Sequence, residues 1–352
     1  MAIYALWNNK GGVGKSYLTF QLAAEYAKQH PNKKVLVVDL CPQANSSSML
    51  LGGIENGELA LDQIHSAQPR NTISGYIEDR ISSPYRPTNT GSNYLLQVSQ
   101  FNNKIPSNVY LVPGDELLEN QASRVANAAN PGPADAWRTV HLWIKDLITD
   151  IYAHWNNADA CVFIDCNPSF SIYTELALSA AERLLIPFSA DGSSKRAVKA
   201  VLSLVYGVRR HQNEPLSEFV QNVNRYAMTK PQIYMYIGNR LTQMNSSSAG
   251  AFKTVVGEIG NEIWNIWQAS PSNFCIHPVG GTTPNSQRSF KNMFQYEVND
   301  ANTASVVSGA LGIPIASLTA GTKNVAGRNI KVNQSQLDKQ VPNIERLVRN
   351  IE

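Results

Sequence analysis

The chain has 352 residues, of which 43% are hydrophobic and only 16% charged, a balance typical of a folded globular protein and not of a disordered one. Thirty Lys and Arg residues stand against 27 Asp and Glu residues, and this small surplus excludes an obligate polyanion partner, so any nucleic-acid surface must be local. Every apolar run is shorter than the roughly 18 residues of a membrane span, so no membrane partner is expected.

Short apolar runs alternate with longer helical patterns from the N-terminus onward. Ile3 to Trp7 is predicted to be a strand, Tyr17 to Gln29 a helix and Val35 to Asp39 a second strand, which together form a βαβ unit. Most of the later runs are separated by enough chain for a crossover helix, so we predict an α/β fold with a mostly parallel, doubly wound sheet flanked by helices. The later predicted strands are Val109 to Val112, Cys161 to Asp165, Leu184 to Phe188, Ile233 to Ile237 and Phe274 to His277.

These elements favour one enlarged domain over residues 1–352. Residues 52–107 are rich in Ser, Asn, Pro and Gly and are interpreted as an elaborated lobe. A C-terminal extension is expected over residues 321–352, with a short helix that starts at Pro342. Its apolar stripe has no aromatic anchor, so we expect it to pack on its own domain or on a second copy and not on a membrane. The stripe consists of Leu337, Val341, Ile344, Val348 and Ile351.

The cysteines and the N-terminus indicate a cytoplasmic protein. The four cysteines form no C-x-x-C pair and the six histidines do not gather with them, which argues against a zinc site and an iron–sulfur cluster. The N-terminus lacks the charged region of a signal peptide. The cysteines are Cys41, Cys161, Cys166 and Cys275.

The strongest functional pattern is N-N-K-G-G-V-G-K-S at Asn8 to Ser16, between a predicted strand and a predicted helix. Glycines let successive backbone N–H groups point at an anion, Lys15 can neutralise phosphate charge, and the Ser16 hydroxyl can ligate Mg²⁺. The spacing departs from the usual phosphate loop because Asn9 stands where its first glycine would be. A plain glycine turn would not account for the additional Lys10.

This loop, with a lysine at its start, resembles the deviant P-loop of the ParA and MinD family of ATPases. V-L-V-V-D-L-C-P-Q-A-N at Val35 to Asn45 is similar to the second motif of that family, and C-V-F-I-D-C-N-P-S at Cys161 to Ser169 is similar to its Walker B strand. The resemblance covers most of residues 1–240 and implies a P-loop ATPase that binds ATP and Mg²⁺. Weaker similarities lie at Asn108 to Gly114, Ala181 to Phe188 and Ile237 to Arg240.

The resemblance also implies roles for individual residues. Lys15 is expected to hold the phosphates of its own ATP, whereas Lys10 reaches across a homodimer to the partner's phosphates, so that ATP is sandwiched between two subunits. A solvated loop lysine is the alternative for Lys10. Lys10, Lys15 and Asp39 are the expected catalytic residues. The expected nucleotide contacts come from Lys10, Gly11, Gly12, Val13, Gly14, Lys15, Ser16, Tyr17 and Asn239.

Two acids end predicted strands beside the loop, where a carboxylate buried without a cation would be costly. By resemblance, Asp39 organises the magnesium shell and Asp165 holds a magnesium-bound water, with Ser16 as a further ligand. Helix N-capping is the alternative role for both acids. Asn239 matches the family position that reads the adenine edge, and a simple turn residue is its alternative.

The chain departs from the family directly after Asp39. Relatives carry a second acid in the pattern D-x-D-P, but this chain has Asp39-Leu40-Cys41-Pro42. The carboxylate that orients the attacking water is therefore missing, and a thiol that is not ionised is a weak hydrogen-bond partner. We expect ATP hydrolysis to be slower than in relatives with the second acid. Cys166 replaces a second proline that is common after the Walker B strand, and we expect this change to be minor.

One predicted helix, between Ser194 and Arg210, carries a basic edge beside its apolar stripe. Such an edge suits sequence-independent contacts with the DNA backbone, and a solvated face paired with acids such as Glu214 is the alternative. The basic residues are Lys195, Lys199, Arg209 and Arg210.

The leading hypothesis is a ParA-like, ATP-dependent homodimer that acts as a switch in DNA partition or cargo positioning, with slow hydrolysis. Non-specific DNA, nucleoid association and a ParB-like or other activating partner protein follow from it. A second hypothesis is a non-hydrolysing scaffold that uses ATP only to assemble. A third, an iron–sulfur reductase of the nitrogenase-iron-protein type, is disfavoured by the cysteine positions.

Overall fold

A computed structural model describes residues 1–130, 132–189, 191–209, 211, 213–241 and 247–352. In these ranges, one mostly parallel sheet of eight strands forms the centre of the protein. Its strands are β1 (Ala2–Leu6), β2 (Lys34–Leu40), β3 (Leu96–Gln97), β4 (Val109–Val112), β5 (Ala160–Cys166), β6 (Arg183–Phe188), β7 (Gln232–Leu241) and β8 (Gln295–Asn299). The order across the sheet is β3-β4-β2-β5-β1-β6-β7-β8, and only β3 runs antiparallel to its neighbour.

Helices cover both faces of the sheet, because the side chains of the inner strands alternate between two apolar cores. Along β1, for example, Ile3 and Ala5 belong to one core and Tyr4 and Leu6 to the other. The helices are α1 (Lys15–Gln29), α2 (Asn45–Leu51), α3 (Gly53–Ser66), α4 (Ile73–Ser82), α5 (Leu118–Ala129), α6 (Ala136–His141), α7 (Trp143–His154), α8 (Ile172–Ala180), α9 (Ser194–Tyr206), α10 (Glu218–Arg225), α11 (Ser247–Ala269), α12 (Gln287–Phe294), α13 (Thr303–Leu311) and α14 (Gln334–Val348).

The first face is covered by α1, α2, α3, α13 and α14, and the second by α4 to α12. This arrangement confirms the predicted doubly wound α/β fold. None of the helices in the described ranges is both long enough and apolar enough to cross a membrane.

Two expectations about individual segments were wrong, those for the last strand and for the start of the final helix, whereas the interpretation of residues 52–107 as an elaborated lobe stays a prediction. Phe274 to His277 is not a strand of the sheet, since only an isolated bridge joins Phe274 to Ile233 and the last strand of the sheet is β8. Residues 52–107 contain the regular helices α3 and α4. The final helix starts at Gln334, where Asn333 forms a capping box, and Pro342 lies inside it.

The C-terminal tail packs on its own domain. Ile344 and Val348 of α14 are fully buried in the core that also contains α1. Beyond the helix, Glu352 forms a 2.8 Å ion pair with Arg183, and its backbone N–H donates to the Tyr4 hydroxyl at 3.0 Å. These contacts join the end of the chain to the start of β6 and to the first strand.

The fold brings the sequence motifs to one edge of the sheet. In the strand register, Leu6 at the end of β1 lies beside Asp165 of β5, and Asp165 lies beside Asp39 of β2. Ligands of parallel α/β sheets bind at the carboxyl ends of the strands. The segments that follow β1, β2 and β5 therefore form the candidate site.

Candidate nucleotide site

The loop from Asn8 to Gly14 joins β1 to α1 in a conformation that depends on glycine. Gly12 and Gly14 have φ values of 74° and 82°, in the left-handed region that other residues adopt only with strain. A Cβ atom on Gly11 or Gly12 would meet no atom within 4 Å, so the loop backbone borders open space. The loop and the N-terminus of α1 can present backbone N–H groups to an anion.

A cavity of about 590 Å³ lies against this loop, which is large enough for a nucleotide-sized ligand. Opposite the loop, Cys41 and Met49 contribute from the segment after β2, Cys166 from the end of β5, and Val306 from α13. The contribution of α13 was not expected, because the helix lies almost 300 residues after the loop in the chain.

Lys15 is buried at the base of this cavity, with 6% of its surface exposed. Its ammonium donates to the carbonyl oxygen of Lys10 at 3.1 Å. Burial lowers the pKa of Lys15, and nearby Asp165, Cys166 and Cys41 offset part of that effect. A phosphate group would supply the counter-charge that stabilises the buried ammonium.

Asp39 is fully buried and held by donors of its own chain. Its Oδ1 accepts from the backbone N–H of Cys41 at 3.0 Å, and its Oδ2 accepts from the hydroxyl and N–H of Ser47 at 2.7 and 3.1 Å. Burial raises the pKa of Asp39, and these hydrogen bonds oppose the rise. Asp39 therefore fixes the segment after β2 against the sheet, a role that Ser47 shares and that the motif alone did not reveal.

Asp165 differs from Asp39, because neither of its buried oxygens has a hydrogen-bond partner in the described part of the chain. Burial and nearby Asp39 raise the pKa of Asp165 to about 7, against the opposing effects of Ser16, Ser46 and Lys15. A buried carboxylate that forms no well-aligned hydrogen bond is strongly stabilised by a divalent cation, and Mg²⁺ prefers such oxygen ligands. Asp165 together with the Ser16 hydroxyl fits a magnesium ion.

Comparison with known proteins shows the family of the chain. A family model described as AAA domain matches residues 1–218, well over half of the chain. The chain belongs to that family of ParA/MinD-like P-loop ATPases.

Curated relatives include chromosome partitioning and uncharacterized proteins. The chromosome partitioning protein ParA of Myxococcus xanthus is 28% identical over 190 residues, which make up 54% of this chain and 52% of that protein. An uncharacterized protein of Mycobacterium tuberculosis is 27% identical over 230 residues, or 64% of this chain and 58% of that protein. The chain thus spans little more than half the length of these two relatives.

Solved structures show the same fold over nearly the full chain. An ATP complex of a McdA variant from Cyanothece superposes with a TM-score of 0.59 at 17% identity, covering 100% of this chain and 98% of that one. The structure of pNOB8 ParA gives a TM-score of 0.51 at 15% identity, covering 84% and 80% of the two chains.

In this ParA/MinD-like chain, Lys10 turns back onto its own subunit. Its ammonium donates to the Asp191 carboxylate and to the hydroxyls of Ser189 and Ser194, the latter two at 3.2 and 3.4 Å. Partial burial would raise the pKa of Asp191, but hydrogen bonds from Lys10, Ser189 and Ser193 hold it well below its usual range. The contact of Lys10 with a partner's phosphate stays a prediction, and it requires this bond to open.

Asn239 holds the loop, and Tyr17 joins the start of α1 to the C-terminal helix. The fully buried amide of Asn239 donates to the carbonyl oxygen of Val13 at 2.9 Å. Its contact with adenine stays a prediction, because the amide would have to turn away from Val13 to reach a base. Tyr17 lines the cavity, and its hydroxyl donates to Gln340 of α14 at 2.7 Å.

Two thiols face the cavity where the family carries an acid and a proline. Burial, together with Asp39 and Asp165, raises the pKa of Cys41 to about 12, so its thiol stays neutral at physiological pH. Burial likewise raises the pKa of Cys166 well above its usual value. Cys166, whose replacement of a proline is expected to be a minor change, lines the cavity together with Cys41.

The helix that carries the predicted basic edge ends at Tyr206, so Arg209 lies beyond α9, and the two lysines on α9 are neutralised by α11. Lys195 pairs with Glu258 at 2.8 Å, and Lys199 pairs with Glu262 at 3.0 Å. The alternative for this edge is a solvated face paired with acids such as Glu214, and the acids that pair with these two lysines belong to α11. Arg210 lies outside the described residues. Contact of this edge with DNA stays a prediction, weakened by the two ion pairs.

Proposed function

We propose that the protein binds ATP with Mg²⁺ and that the loaded subunit pairs with a second copy in a nucleotide-sandwich homodimer, as a switch in DNA partition or cargo positioning. The observation that carries this proposal is the unpartnered carboxylate of Asp165 beside the glycine loop and the buried Lys15. The relatives support it, since one is named a chromosome partitioning protein and one structural neighbour is an ATP complex. Non-specific DNA and a ParB-like or other activating protein are the proposed partners.

Each residue contributes a separate part of nucleotide binding. Bound Mg²⁺ would neutralise charge on the terminal phosphates. Lys15 would place its buried ammonium against the phosphates, and the backbone N–H groups of the loop would donate to them. Asp39 does not need to touch the nucleotide, since its hydrogen bonds to Ser47 and Cys41 hold the adjacent wall in position.

We expect this site to hydrolyse ATP slowly. A general base or a group that orients water typically contributes about 10² to 10⁴ in rate. Cys41 occupies the position where relatives carry the second acid, and its neutral thiol is a poor substitute. The same observation favours a second candidate function, an ATP-dependent scaffold that assembles without turning ATP over.

Light scattering of the full chain with ATP and Mg²⁺, with ADP and without nucleotide tests the dimer. We expect the molar mass to double with ATP and Mg²⁺, and to stay that of a monomer with ADP or without nucleotide. Lys15→Ala should abolish ATP binding, because its ammonium is the buried cation of the cavity. Lys28→Ala is the matched control, since Lys28 lies exposed at the other end of α1, where it forms a 3.4 Å ion pair with Glu25.

A monomeric parent at saturating ATP would contradict the proposed dimer. Phosphate release by the dimer separates the two candidate functions. Slow but measurable release supports the switch, whereas a stable dimer with no release supports the scaffold.

A further inference from the structure

The C-terminal part of the chain contains a two-stranded ribbon that belongs to no larger sheet in the described residues. Its strands are β9 (Gly321–Val325) and β10 (Arg328–Val332), which pair antiparallel. Ala326 and Gly327 form the two-residue turn with φ values of 48° and 76°, as a twisted hairpin requires. Val325 and Val332 are buried in the core shared with α13, so one face of the ribbon is anchored to the domain.

The opposite face of the ribbon is polar and exposed. Cross-strand partners share a face, and on this face Thr322 lies opposite Lys331 and Asn324 lies opposite Asn329. All four residues are exposed. The face therefore offers two amides, a hydroxyl and an ammonium, and it carries no apolar side chain that would suit a protein core.

Charge on the ribbon is of one sign. Residues 321–333 contain three cations, Lys323, Arg328 and Lys331, and no acid. The net charge of this short segment is therefore +3, the same as that of the entire chain. In the described residues, none of these three cations forms an ion pair, and Lys323 donates only to the Thr319 hydroxyl at 2.7 Å. Lys195 of α9, by contrast, is compensated by α11.

We propose that this ribbon, and not the basic edge of α9, is the surface that contacts double-stranded DNA. Lys331 on the exposed face and Arg328 beside the turn are exposed and form no ion pair in the described residues, so they can meet phosphates, whereas Lys323 lies half-buried on the anchored face. Exposed amides and hydroxyls are ordinary phosphate and base-edge partners. The major groove of B-form DNA admits a two-stranded β-ribbon, whereas the major groove of A-form RNA is too narrow. The occupant is therefore duplex DNA.

The inference rests on the proposed function, because the expected affinity for DNA depends on dimer formation. One ribbon with three cations binds weakly, and a two-fold dimer presents two ribbons and doubles the phosphates engaged. The ribbon packs on α13, whose residues Ser305 and Val306 line the nucleotide cavity. ATP therefore affects DNA binding by forming the dimer. Within one subunit, α13 contacts both the nucleotide cavity and the ribbon and so connects the two.

Anisotropy of a labelled DNA duplex, titrated with the full chain, ATP and Mg²⁺ over a salt series, tests the ribbon. The test variant combines Lys323→Gln, Arg328→Gln and Lys331→Gln. The matched control combines Lys195→Gln and Lys199→Gln, which removes paired cations. We expect the test variant to lose at least about tenfold in affinity and about one unit of salt slope for each phosphate contact removed. The control should stay within about twofold.

Other results would overturn the ribbon assignment. These are equal affinity of parent and test variant, loss of affinity in the α9 control alone, tighter binding of duplex RNA, or binding of an acidic polypeptide without binding of DNA. Should the triple variant fold poorly by circular dichroism, Lys331→Gln alone replaces it, because that side chain is exposed and unpaired.

Dimer formation is measured on the same samples by light scattering. An ATP-dependent dimer that does not bind DNA contradicts the ribbon and the proposed DNA partner but leaves the nucleotide-dependent dimer intact, whereas a parent that stays monomeric contradicts the proposed dimer itself.

Discussion

The hydroxyl of Tyr17 donates a 2.7 Å hydrogen bond to Oε1 of Gln340, which joins the first turn of the P-loop helix to the C-terminal helix. Gln340 is fully buried, and its Oε1 also accepts from the Ser305 hydroxyl at 3.3 Å, while its Nε2 donates to the carbonyl oxygen of Asn299 at 2.8 Å. One amide thus connects α1, α13, α14 and the end of β8 directly behind the nucleotide cavity.

Replacement of this amide should therefore affect both stability and nucleotide binding. We expect Gln340→Leu to lower the free energy of unfolding by about 1–3 kcal/mol, because it leaves buried partners unsatisfied. ATP affinity should fall as well, since the first turn of α1 loses its support. Denaturant unfolding and ATP titration measure the two effects. Gln334→Leu is the control, because Gln334 is exposed on the same helix, and equal behaviour of the two variants would disprove the role of Gln340.

Release of Lys10 from its own subunit should promote dimer formation. Asp191→Asn removes the carboxylate that holds Lys10, so we expect the ATP-bound dimer to dissociate several-fold less readily. Lys10→Ala should weaken the dimer. Light scattering over a dilution series measures both, with Asp159→Asn as the control because Asp159 pairs with Lys33 at the surface. A dimer that responds to neither Asp191→Asn nor Lys10→Ala excludes the cross-subunit role of Lys10.

Restoring the missing acid should accelerate turnover. Cys41→Asp places a carboxylate beside the cavity, and we expect the rate of phosphate release to rise, by up to about 10² to 10⁴. ATP affinity should change little, because Lys15 and Asp165 remain. Cys41→Ser is the control, since a hydroxyl has nearly the shape of the thiol and no charge. An unchanged rate in Cys41→Asp, with a parent already as fast as its relatives, means that another residue orients the water.

Stability should depend on pH through Asp165. Its pKa is about 7 in the folded protein and near the ordinary value of 3.8 in the unfolded chain, so between these values the folded state binds more protons. The contribution of Asp165 is therefore most favourable below about pH 4 and is lost as the pH rises through 7. Without Mg²⁺, Asp165→Asn should flatten this part of the pH dependence of the unfolding free energy. A parent and a variant with parallel pH profiles would contradict the elevated pKa.

Much of the fold and the core of the site followed from local sequence patterns. The βαβ unit, the glycine loop and the acids Asp39 and Asp165 were predictable, because apolar periodicity defines strands and helices over short distances. Parallel strands bring their carboxyl ends to one edge, so acids at those ends must lie near the loop. The role of Gly12 and Gly14 in the loop was likewise predictable, since both adopt positive φ values that favour glycine.

The remaining features depended on packing between distant segments. Lys10 meets Asp191 across 181 residues, Tyr17 meets Gln340 across 323, and the lysines of α9 meet acids of α11. Periodicity within a segment contains no information about which other segment it faces. Local patterns also misplaced the last strand, because burial against the sheet, and not strand propensity, decides which apolar run joins the sheet. They misplaced the start of α14 as well, where Asn333 forms a capping box. The sequence alone determined the chemistry available at the loop, and only the tertiary structure decided which partners hold each group.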